Sequence, residues 1–214
     1  MPAARAELEG CDDELTWDEV TAALRRTRRG KAAGWDAIPG EVLKLVEDEV
    51  EPESRLAAAI WKMIRKMWKH GRVPGKWNKA VIVPIPKKGD RRDPNNYRGI
   101  SLIPAVARLY GKIMTNRLVA IAENNNLLAK EQAGFRNREE CVAQATTLYE
   151  VLLRRTNTGK TSYGIFIDFA KAYDKVPHEG LLRKLRCMGI RGKLYKGIRS
   201  LYKSPKVCVR SGAP

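Results

Sequence analysis

The sequence predicts an α+β fold, in which helices account for most of the chain and a few short strands lie between them. Apolar residues recur with helical spacing over residues 52–70, and two β-rich apolar runs, at residues 80–86 and 97–103, flank a charged turn. A third apolar run covers residues 161–169. Strands that form a hairpin between groups of helices, instead of alternating singly with helices, are typical of α+β proteins.

The region before the hairpin is predicted to be helical. Thr16 and Glu19 have the spacing of a capping box, which predicts a helix start at this point. Helices are predicted over residues 16–29, 41–48 and 52–70. Glycine and proline between the first two of these predict a loop over KAAGWDAIPG (31–40).

A β-hairpin is predicted from AVIVPIP (80–86) and YRGISLI (97–103), which are joined by the polar segment KKGDRRDPNN (87–96). The hairpin therefore has a basic tip. Helices are predicted after it over residues 104–123, 139–155, 177–187 and 190–202, and a further strand over residues 206–210.

The charge of the chain favours a polyanionic partner. Lysine and arginine number 41 against 24 acidic residues, which gives a net charge of +17. Residues 61–112 carry 14 basic and 2 acidic side chains, and residues 183–210 carry 10 basic and no acidic ones. Two separated basic blocks suggest a long anionic ligand that is contacted at two places. Solvated helix faces are the alternative interpretation.

The cysteines and the hydropathy pattern disfavour other classes of protein. The four cysteines show no paired spacing and the chain has two histidines, which argues against a zinc site. Scattered thiols suit a reducing, intracellular compartment. No uninterrupted apolar run approaches the length of a membrane span, and the N-terminus has acids where a signal peptide would be basic and then apolar.

Asp168 is the candidate residue with the most informative setting. TSYGIFIDF (161–169) predicts a strand buried within a sheet, and Asp168 lies near the end of that strand between Ile167 and Phe169. A carboxylate in such a setting needs a cationic side chain or a metal ion, because burying an unpaired charge is costly. Carboxylates at strand ends bind Mg²⁺ in phosphate chemistry. An ion pair, or a cap for the following segment, explains the same residue without a metal.

Five segments resemble, in order, the motifs of reverse transcriptases from non-LTR (LINE-like) retrotransposons. They are KAAGWDAIPGEVLK (31–44), WNKAVIVPIPKKGD (77–90), NYRGISLIPAVARLYGKIMTNRL (96–118), EQAGFRNREECVAQATTLYEVL (131–152) and GIFIDFAKAYD (164–174). The last segment is similar to the first carboxylate motif of the family, with Phe166, Asp168, Ala172, Tyr173 and Asp174 in register.

The sequence also departs from the family pattern. Gly99 stands where proline is more common, and Ala33 and Trp35 differ from the upstream motif. REECVAQ (138–144) departs from the usual polar pattern, so the family's roles for serine and aspartate are not carried over to it.

The resemblance implies an architecture of fingers and an incomplete palm, preceded by a helical N-terminal region. It divides the chain into residues 1–76, which contain the upstream motif of non-LTR elements, and residues 77–214, a truncated reverse transcriptase domain.

The resemblance also implies a chemistry, in which two metal ions align a primer 3′-hydroxyl with the α-phosphate of a nucleotide. Asp168 would be the first metal-binding carboxylate, joined by the backbone carbonyl of Phe169. Tyr173 would be the aromatic gate that excludes a ribose 2′-hydroxyl, with core packing as the alternative.

Arg98 would bind the triphosphate, because a guanidinium can hold phosphate oxygens in bidentate fashion. Lys87 and Lys88 would support it, or would be a solvated turn. The resemblance places four residues along the path of the template and nucleotide: Gln132, Gly134, Phe135 and Arg136.

The partners that the family implies are an RNA template, a DNA primer and deoxynucleoside triphosphates, with Mg²⁺ or Mn²⁺ as cofactor of the full-length enzyme. A nuclear location or a cytoplasmic ribonucleoprotein follows from the same analogy, and no membrane partner is expected. Nothing in the sequence indicates the oligomeric state.

The further catalytic carboxylates of the family lie in a Y-x-D-D hairpin. In this sequence no Asp-Asp pair follows Asp168, and no acidic residue follows Glu179. We therefore expect a fragment of an RNA-directed DNA polymerase that is inactive alone. A non-catalytic module that binds RNA or an RNA–DNA hybrid is the alternative.

Overall fold

The computed structural model describes residues 5–136 and 139–210 and confirms a mixed α+β chain. Its helices and strands are α1 (Trp17–Arg25), α2 (Gly40–Lys44), α3 (Arg55–His70), β1 (Lys79–Pro86), β2 (Tyr97–Leu102), α4 (Ala105–Asn124), α5 (Cys141–Asn157), α6 (His178–Cys187), α7 (Gly192–Leu201) and β3 (Lys206–Val209). Within these described residues, no helix is both long enough and apolar enough to cross a lipid bilayer.

The chain divides into two compact units. The first unit contains residues up to 121 and from 178 onward, and the second contains residues 122–177. This division follows contacts within the chain. The predicted boundary after residue 76 separates an upstream region from a family domain, and it stays a prediction.

The core of the first unit is formed by helices whose apolar residues recur every three or four positions. On α4 the buried residues Leu109, Tyr110, Ile113 and Met114 follow this spacing. Other fully buried side chains come from α1, α3 and the region of α6 and α7: Val20, Leu24, Ile60, Ile64, Trp68, Ile190 and Leu194. The core therefore joins helices from both ends of the chain.

The predicted helix over residues 16–29 begins as expected but ends earlier. The Thr16 hydroxyl accepts a hydrogen bond from the Glu19 N–H, and the Glu19 carboxylate accepts one from the Thr16 N–H, which confirms the capping box. The helix ends at Arg25, and lysines from other helices bind the carbonyls at this end. Lys44 Nζ donates to the Leu24 carbonyl at 2.9 Å, and Lys112 Nζ donates to the Arg26 carbonyl at 2.6 Å.

Helix α3 also begins later than Pro52 suggests. Ser54 is its N-cap, and the Ser54 hydroxyl accepts a hydrogen bond from the Ala57 N–H at 3.1 Å. A serine side chain satisfies one of the unpaired N–H groups of the first turn, which proline at residue 52 does not do.

The predicted hairpin is confirmed, and the final predicted strand completes a three-stranded sheet of order β2-β1-β3. Strands β1 and β2 pair antiparallel from Val81 with Leu102 to Pro86 with Tyr97. Strand β3 pairs parallel with β1 only over residues 79–82. Pro84 and Pro86 therefore lie beyond the part of β1 that has two neighbours, where the loss of an N–H donor is tolerated.

The N-terminal segment lies on α6 and α7. The N–H groups of Arg5 and Leu8 each donate at 3.1 Å, to the carbonyls of Cys187 and Gly189 respectively. Gly189 has φ +93°, and a Cβ on it would lie 2.5 Å from the Ala6 carbonyl oxygen. Asp12 then accepts a hydrogen bond from the Lys193 N–H near the start of α7. Backbone hydrogen bonds thus hold the N-terminal segment against the turn between α6 and α7.

Arg117 on α4 connects this N-terminal segment to the core. Its guanidinium pairs with the Glu19 carboxylate at 2.5 and 2.9 Å, and donates to the carbonyls of Asp13 and Glu14 at 2.6 and 2.7 Å. The guanidinium carbon lies 4.7 Å from the centre of the Trp68 ring. The exposed fractions of the two paired side chains are 11% for Arg117 and 29% for Glu19. Arg117 is therefore a largely buried cation with a full set of acceptors.

The loop before α2 lies against the junction of β2 and α4. A Cβ on Gly34 would lie 2.5 Å from the carbonyl carbon of Ile103 and 2.6 Å from the nitrogen of Pro104. The Arg108 guanidinium donates to the Ala32 carbonyl at 3.3 Å. The loop KAAGWDAIPG is therefore held in place by contacts with residues about seventy positions later in the sequence.

In the second unit, α5 is confirmed as a helix, but the strand predicted over residues 161–169 is wrong. These residues form no strand, and their apolar side chains are exposed, with exposed fractions of 93% for Tyr163 and 88% for Phe166. The prediction assumed neighbouring strands on both sides. A central strand needs hydrogen-bonding partners along both edges, and among the described residues of this unit there is no strand with which it pairs.

Replacing Arg117 with methionine is expected to lower the free energy of unfolding by about 3 kcal/mol, because Glu19 would keep a partly buried charge without its partner. Urea denaturation followed by circular dichroism measures this change. Arg199→Met, on the exposed side of α7, is the control. It is expected to change the free energy of unfolding by no more than about 0.5 kcal/mol. Equal losses in the two variants would contradict the role of Arg117.

Replacing Gly34 with alanine is expected to cost about 1–3 kcal/mol of stability, because the added Cβ would overlap backbone atoms that cannot move independently. Gly111→Ala is the matched control, since a Cβ at Gly111 in α4 would meet no described heavy atom within 4 Å. That control is expected to raise stability by about 0.5–1 kcal/mol, the helix propensity difference. Thermal unfolding of both variants checks the opposite signs, and a harmless Gly34→Ala would show that the loop is not held against the junction.

Candidate functional site

The β1–β2 hairpin places Arg98 in the strand that leaves the turn. Arg98 lies opposite Ile85 in the register, and its side chain is exposed. The Lys87 N–H donates to the Asn96 carbonyl at 2.7 Å, which closes the hairpin one residue beyond the ladder. The Lys87 Nζ donates to the Asn95 carbonyl at 3.3 Å. Arg98 and Lys87 are therefore held near one another at the base of the turn.

The tip of the hairpin is ordered by its own polar groups. Asp90 accepts a hydrogen bond from the Arg92 N–H at 2.9 Å, and Asp93 accepts one from the Asn95 N–H at 2.8 Å. The Tyr97 hydroxyl donates to the Arg91 carbonyl at 2.9 Å. Both carboxylates thus accept hydrogen bonds from the backbone of the turn.

The basic side chains of the tip are exposed to solvent. The five are Lys87, Lys88, Arg91, Arg92 and Arg98. With the two aspartates, the tip has a formal charge of +3. An exposed turn of this charge is suited to bind phosphate groups.

The carboxylate Asp168 lies in the second unit. Asp168 and Phe169 are both exposed and belong to no helix or strand. The buried strand end that suggested a metal ligand is therefore not present around Asp168 in this structure.

Tyr173 and Phe135, which the sequence assigned to a gate and to the template path, are in contact. Their ring centroids are 6.4 Å apart with an interplanar angle of 76°, which is an edge-to-face arrangement. Both rings are otherwise largely exposed, and Phe135 has a positive φ of 63°. The contact joins two motifs that are separated by α5 in the sequence.

Arg136 is held by Glu123, a residue that the sequence analysis did not identify. The guanidinium pairs with the Glu123 carboxylate at 2.6 and 3.0 Å, and it also donates to the carbonyls of Ala129 and Gln132. Hydrogen bonding to Arg136 lowers the pKa of the Glu123 carboxyl. The pair therefore forms above the ordinary pKa of glutamate and is lost as the pH falls through the lowered value. No spacing signal identifies Glu123, because a turn separates it from Arg136.

The remaining predicted residues of this motif lie near the same turn. The Gln132 N–H donates to the Ala129 carbonyl at 3.1 Å, and a Cβ on Gly134 would meet no described heavy atom within 4 Å. Residues 137 and 138, which belong to the same motif, lie outside the described residues.

The described residues do not by themselves fit a two-metal centre. Across residues 5–136 and 139–210, no group of three or more histidine, cysteine, aspartate or glutamate side chains lies close enough to hold a metal ion. A pair of divalent cations beside a triphosphate needs several oxygen ligands. We therefore derive no catalytic step through a metal in this chain.

The predicted residues fall into two groups. Arg98, Lys87 and Lys88 belong to the first unit, where the hairpin brings them together. The others belong to the second unit, and they are Asp168, Phe169, Tyr173, Gln132, Gly134, Phe135 and Arg136. Within that unit the structure brings Tyr173 to Phe135.

Comparison with known proteins gives relatives of one kind. A probable RNA-directed DNA polymerase from transposon BS of Drosophila melanogaster is 28% identical over 170 residues, which is 79% of this chain and 18% of the relative. The RNA-directed DNA polymerase from mobile element jockey of the same species is 27% identical over 173 residues, or 80% of this chain and 18% of the relative. A Pol polyprotein from the type-1 retrotransposable element R2 of Popillia japonica is 29% identical over 155 residues, or 66% and 21%.

The chain spans about a fifth of the length of these relatives. Residues 85–212, more than half of the chain, match the family described as reverse transcriptase (RNA-dependent DNA polymerase). This match and the relatives confirm the resemblance that the five motifs indicated. The chain belongs to the reverse transcriptase (RNA-dependent DNA polymerase) family, and its relatives are polymerases of non-LTR retrotransposons.

Proposed function

We propose that this chain forms the fingers and the first part of the palm of a retrotransposon RNA-directed DNA polymerase. The β1–β2 hairpin is the fingers element, and residues 164–174 contribute to the palm. The substrates of the whole polymerase are an RNA template, a DNA primer and deoxynucleoside triphosphates. This chain supplies contacts to phosphate and template, and it is inactive alone.

The observation that supports this proposal best is the exposed basic tip of the hairpin. Its two aspartates accept hydrogen bonds from the backbone of the turn, and its five cations are exposed. Arg98 leaves the turn on strand β2, with Lys87 held beside it at the base. A guanidinium in such a place can bind the triphosphate in bidentate fashion, with Lys87 and Lys88 as more mobile positive charges.

The second unit supplies the residues proposed for the nucleotide and template. Asp168, with the Phe169 carbonyl, is the ligand that this chain would contribute to a site for Mg²⁺ or Mn²⁺ whose other carboxylates come from elsewhere in a longer protein. Tyr173 is the proposed sugar gate. Its edge contact with Phe135 would hold the ring in one orientation and link the gate to the template path.

The other residues of the template path follow from the same motif. Gln132 and Arg136 lie at one turn, where the Arg136 guanidinium donates to the Gln132 carbonyl. Gly134 has open space around its Cα, which would let a nucleotide approach the backbone. Arg136 is already paired with Glu123, so we propose that it shapes this turn and that Gln132 faces the nucleic acid.

A non-catalytic module that binds RNA or an RNA–DNA hybrid is the second candidate function. The observation that favours it is the sequence after Glu179, which contains ten basic residues from 183 to 210 and no acidic ones. Such a segment can bind nucleic acid without supplying any catalytic carboxylate.

The polypeptide of 214 residues is expected to extend no DNA primer on an RNA template, in Mg²⁺ or in Mn²⁺, because it has one predicted metal-binding carboxylate. Primer extension with labelled deoxynucleotides measures this. Extension by the unmodified chain that Asp168→Ala abolishes would contradict the expected inactivity. Binding of the primer–template in the same samples, seen by gel shift, would support the role of a binding module.

A chimera tests the role of Asp168 in an active protein. In it, the matching segment of the jockey polymerase is replaced by this chain, and the chimera is expected to extend primers. Asp168→Ala should lower the extension rate by about 100-fold or more, because a metal ligand is lost. Asp174→Ala, six residues later in the same segment, is the matched control and should retain most of the activity. Loss of activity from Asp174→Ala alone would show that the wrong carboxylate has been assigned.

A further inference from the structure

Three arginines border a cleft between α6 and α7, apart from the hairpin tip and from the segment around Asp168. The cleft has a volume of about 300 Å³ and is lined in part by Arg183, Arg186 and Arg191. Glu179 and Tyr195 also line it. The whole cleft belongs to the first unit.

Local structure fixes the position of each arginine. Arg183 and Arg186 are three residues apart on α6, so they lie on the same side of the helix. Leu182 and Leu185 are the buried residues of α6, and Leu182 forms part of the cleft wall. The chain then turns at Gly189, whose φ of +93° lets it pass close to the N-terminal segment, and Arg191 follows directly before α7.

The contacts of Arg186 and Arg191 orient their guanidiniums without neutralising them. The Arg186 guanidinium carbon lies 5.7 Å from the centre of the Tyr195 ring. The Arg191 guanidinium donates to the Arg5 carbonyl at 3.1 Å. A ring and a carbonyl are both uncharged groups, so these two positive charges remain available to an anion.

The cleft has a formal charge of +2, from three guanidiniums and the Glu179 carboxylate. A cleft with a net positive charge attracts anions. The N-terminus of α7 does not account for such a site, because Asp12 already accepts a hydrogen bond from the Lys193 N–H there.

We propose that this cleft binds the phosphate backbone of a polynucleotide. Guanidinium groups bind phosphate oxygens in bidentate fashion, and the Tyr195 hydroxyl can donate a further hydrogen bond. Seven further basic residues between 184 and 210 extend the positive charge of this segment beyond one phosphate, which favours a chain of phosphates over a single ion. The inference rests on the proposed function only in taking nucleic acid as the ligand, and it requires no catalytic centre.

The double variant Arg183→Gln with Arg186→Gln tests the cleft by the affinity of the full chain for a short fluorescein-labelled single-stranded RNA. Anisotropy titrations at several salt concentrations should show about a tenfold loss of affinity. The magnitude of the salt slope should fall by about 1.4, the value for two phosphate contacts to a single strand. Circular dichroism on heating shows whether the variant is folded.

The matched control is Lys130→Gln with Lys160→Gln, which removes the same charge from two exposed positions of the second unit. It should leave the salt slope close to that of the unmodified chain. The variant Arg183→Lys with Arg186→Lys keeps the charge and loses the bidentate geometry, so it should keep most of the slope and bind about threefold more weakly. A control that loses as much slope as the cleft variant would overturn the proposal.

Cys187 provides a second readout that does not depend on a substitution. Its half-buried thiol lines the cleft, whereas the Cys141 thiol on α5 is exposed. Saturating RNA should slow the reaction of Cys187 with a maleimide severalfold and leave Cys141 much less affected. Equal rates at Cys187 with and without bound RNA would contradict occupation of the cleft.

Two further measurements distinguish a polynucleotide from free phosphate as the ligand. They also distinguish a wrong cleft assignment from a wrong proposed function. DNA of the same sequence should bind with a similar salt slope, and inorganic phosphate should compete no better than chloride at equal ionic strength. Competition by free phosphate beyond that would assign the cleft to a single ion and overturn the proposal. If the unmodified chain binds no RNA, the proposed nucleic-acid function fails as well. If it binds RNA and the cleft variant matches its control, only the cleft assignment fails.

Discussion

The guanidinium of Arg117 contacts three parts of the first unit at once. It pairs with Glu19 in the capping box of α1, donates hydrogen bonds to the carbonyls of Asp13 and Glu14, and lies over the Trp68 ring in the core. A buried cation is tolerated only when its donors are satisfied. The start of α1, the acidic N-terminal segment and the packing of α3 against α4 therefore depend on one another through this side chain.

Helix α4 shows how a family motif can have a structural explanation. Lys112 and Arg117 both lie in the segment that resembles the fingers motif, and both bind backbone carbonyls of the N-terminal region. Directly before the start of the same helix, the backbone of Ile103 and Pro104 packs against Gly34 of the upstream loop. The motifs at residues 31–44 and 96–118 are therefore parts of one packed structure, and the basic hairpin tip projects from it.

Local signals predicted most of the elements, and distant contacts explain where the prediction went wrong. The spacing of Thr16 and Glu19 and the two runs around the charged turn are properties of neighbouring residues, so the capping box and hairpin could be read from them. The carbonyls at the early end of α1 are bound by Lys44 and Lys112, which no local pattern associates with it. The strand expected around Asp168 needed neighbours that the pattern of one segment cannot supply. The ring contact of Tyr173 with Phe135, and the pairing of Arg136 with Glu123, depend in the same way on turns between motifs.

The hydrogen bonds from Arg5 and Leu8 to residues near Gly189 have a consequence for the order of folding during synthesis. The first helices leave the ribosome long before Ile190 and Leu194, which are fully buried in the same core. Contacts between residues so far apart in sequence form slowly and late. While residues 122–177 are being made, the apolar surface that will receive α7 stays open to water or to a chaperone. During synthesis, the core of the N-terminal helices can therefore be completed only after α6 and α7 have been made.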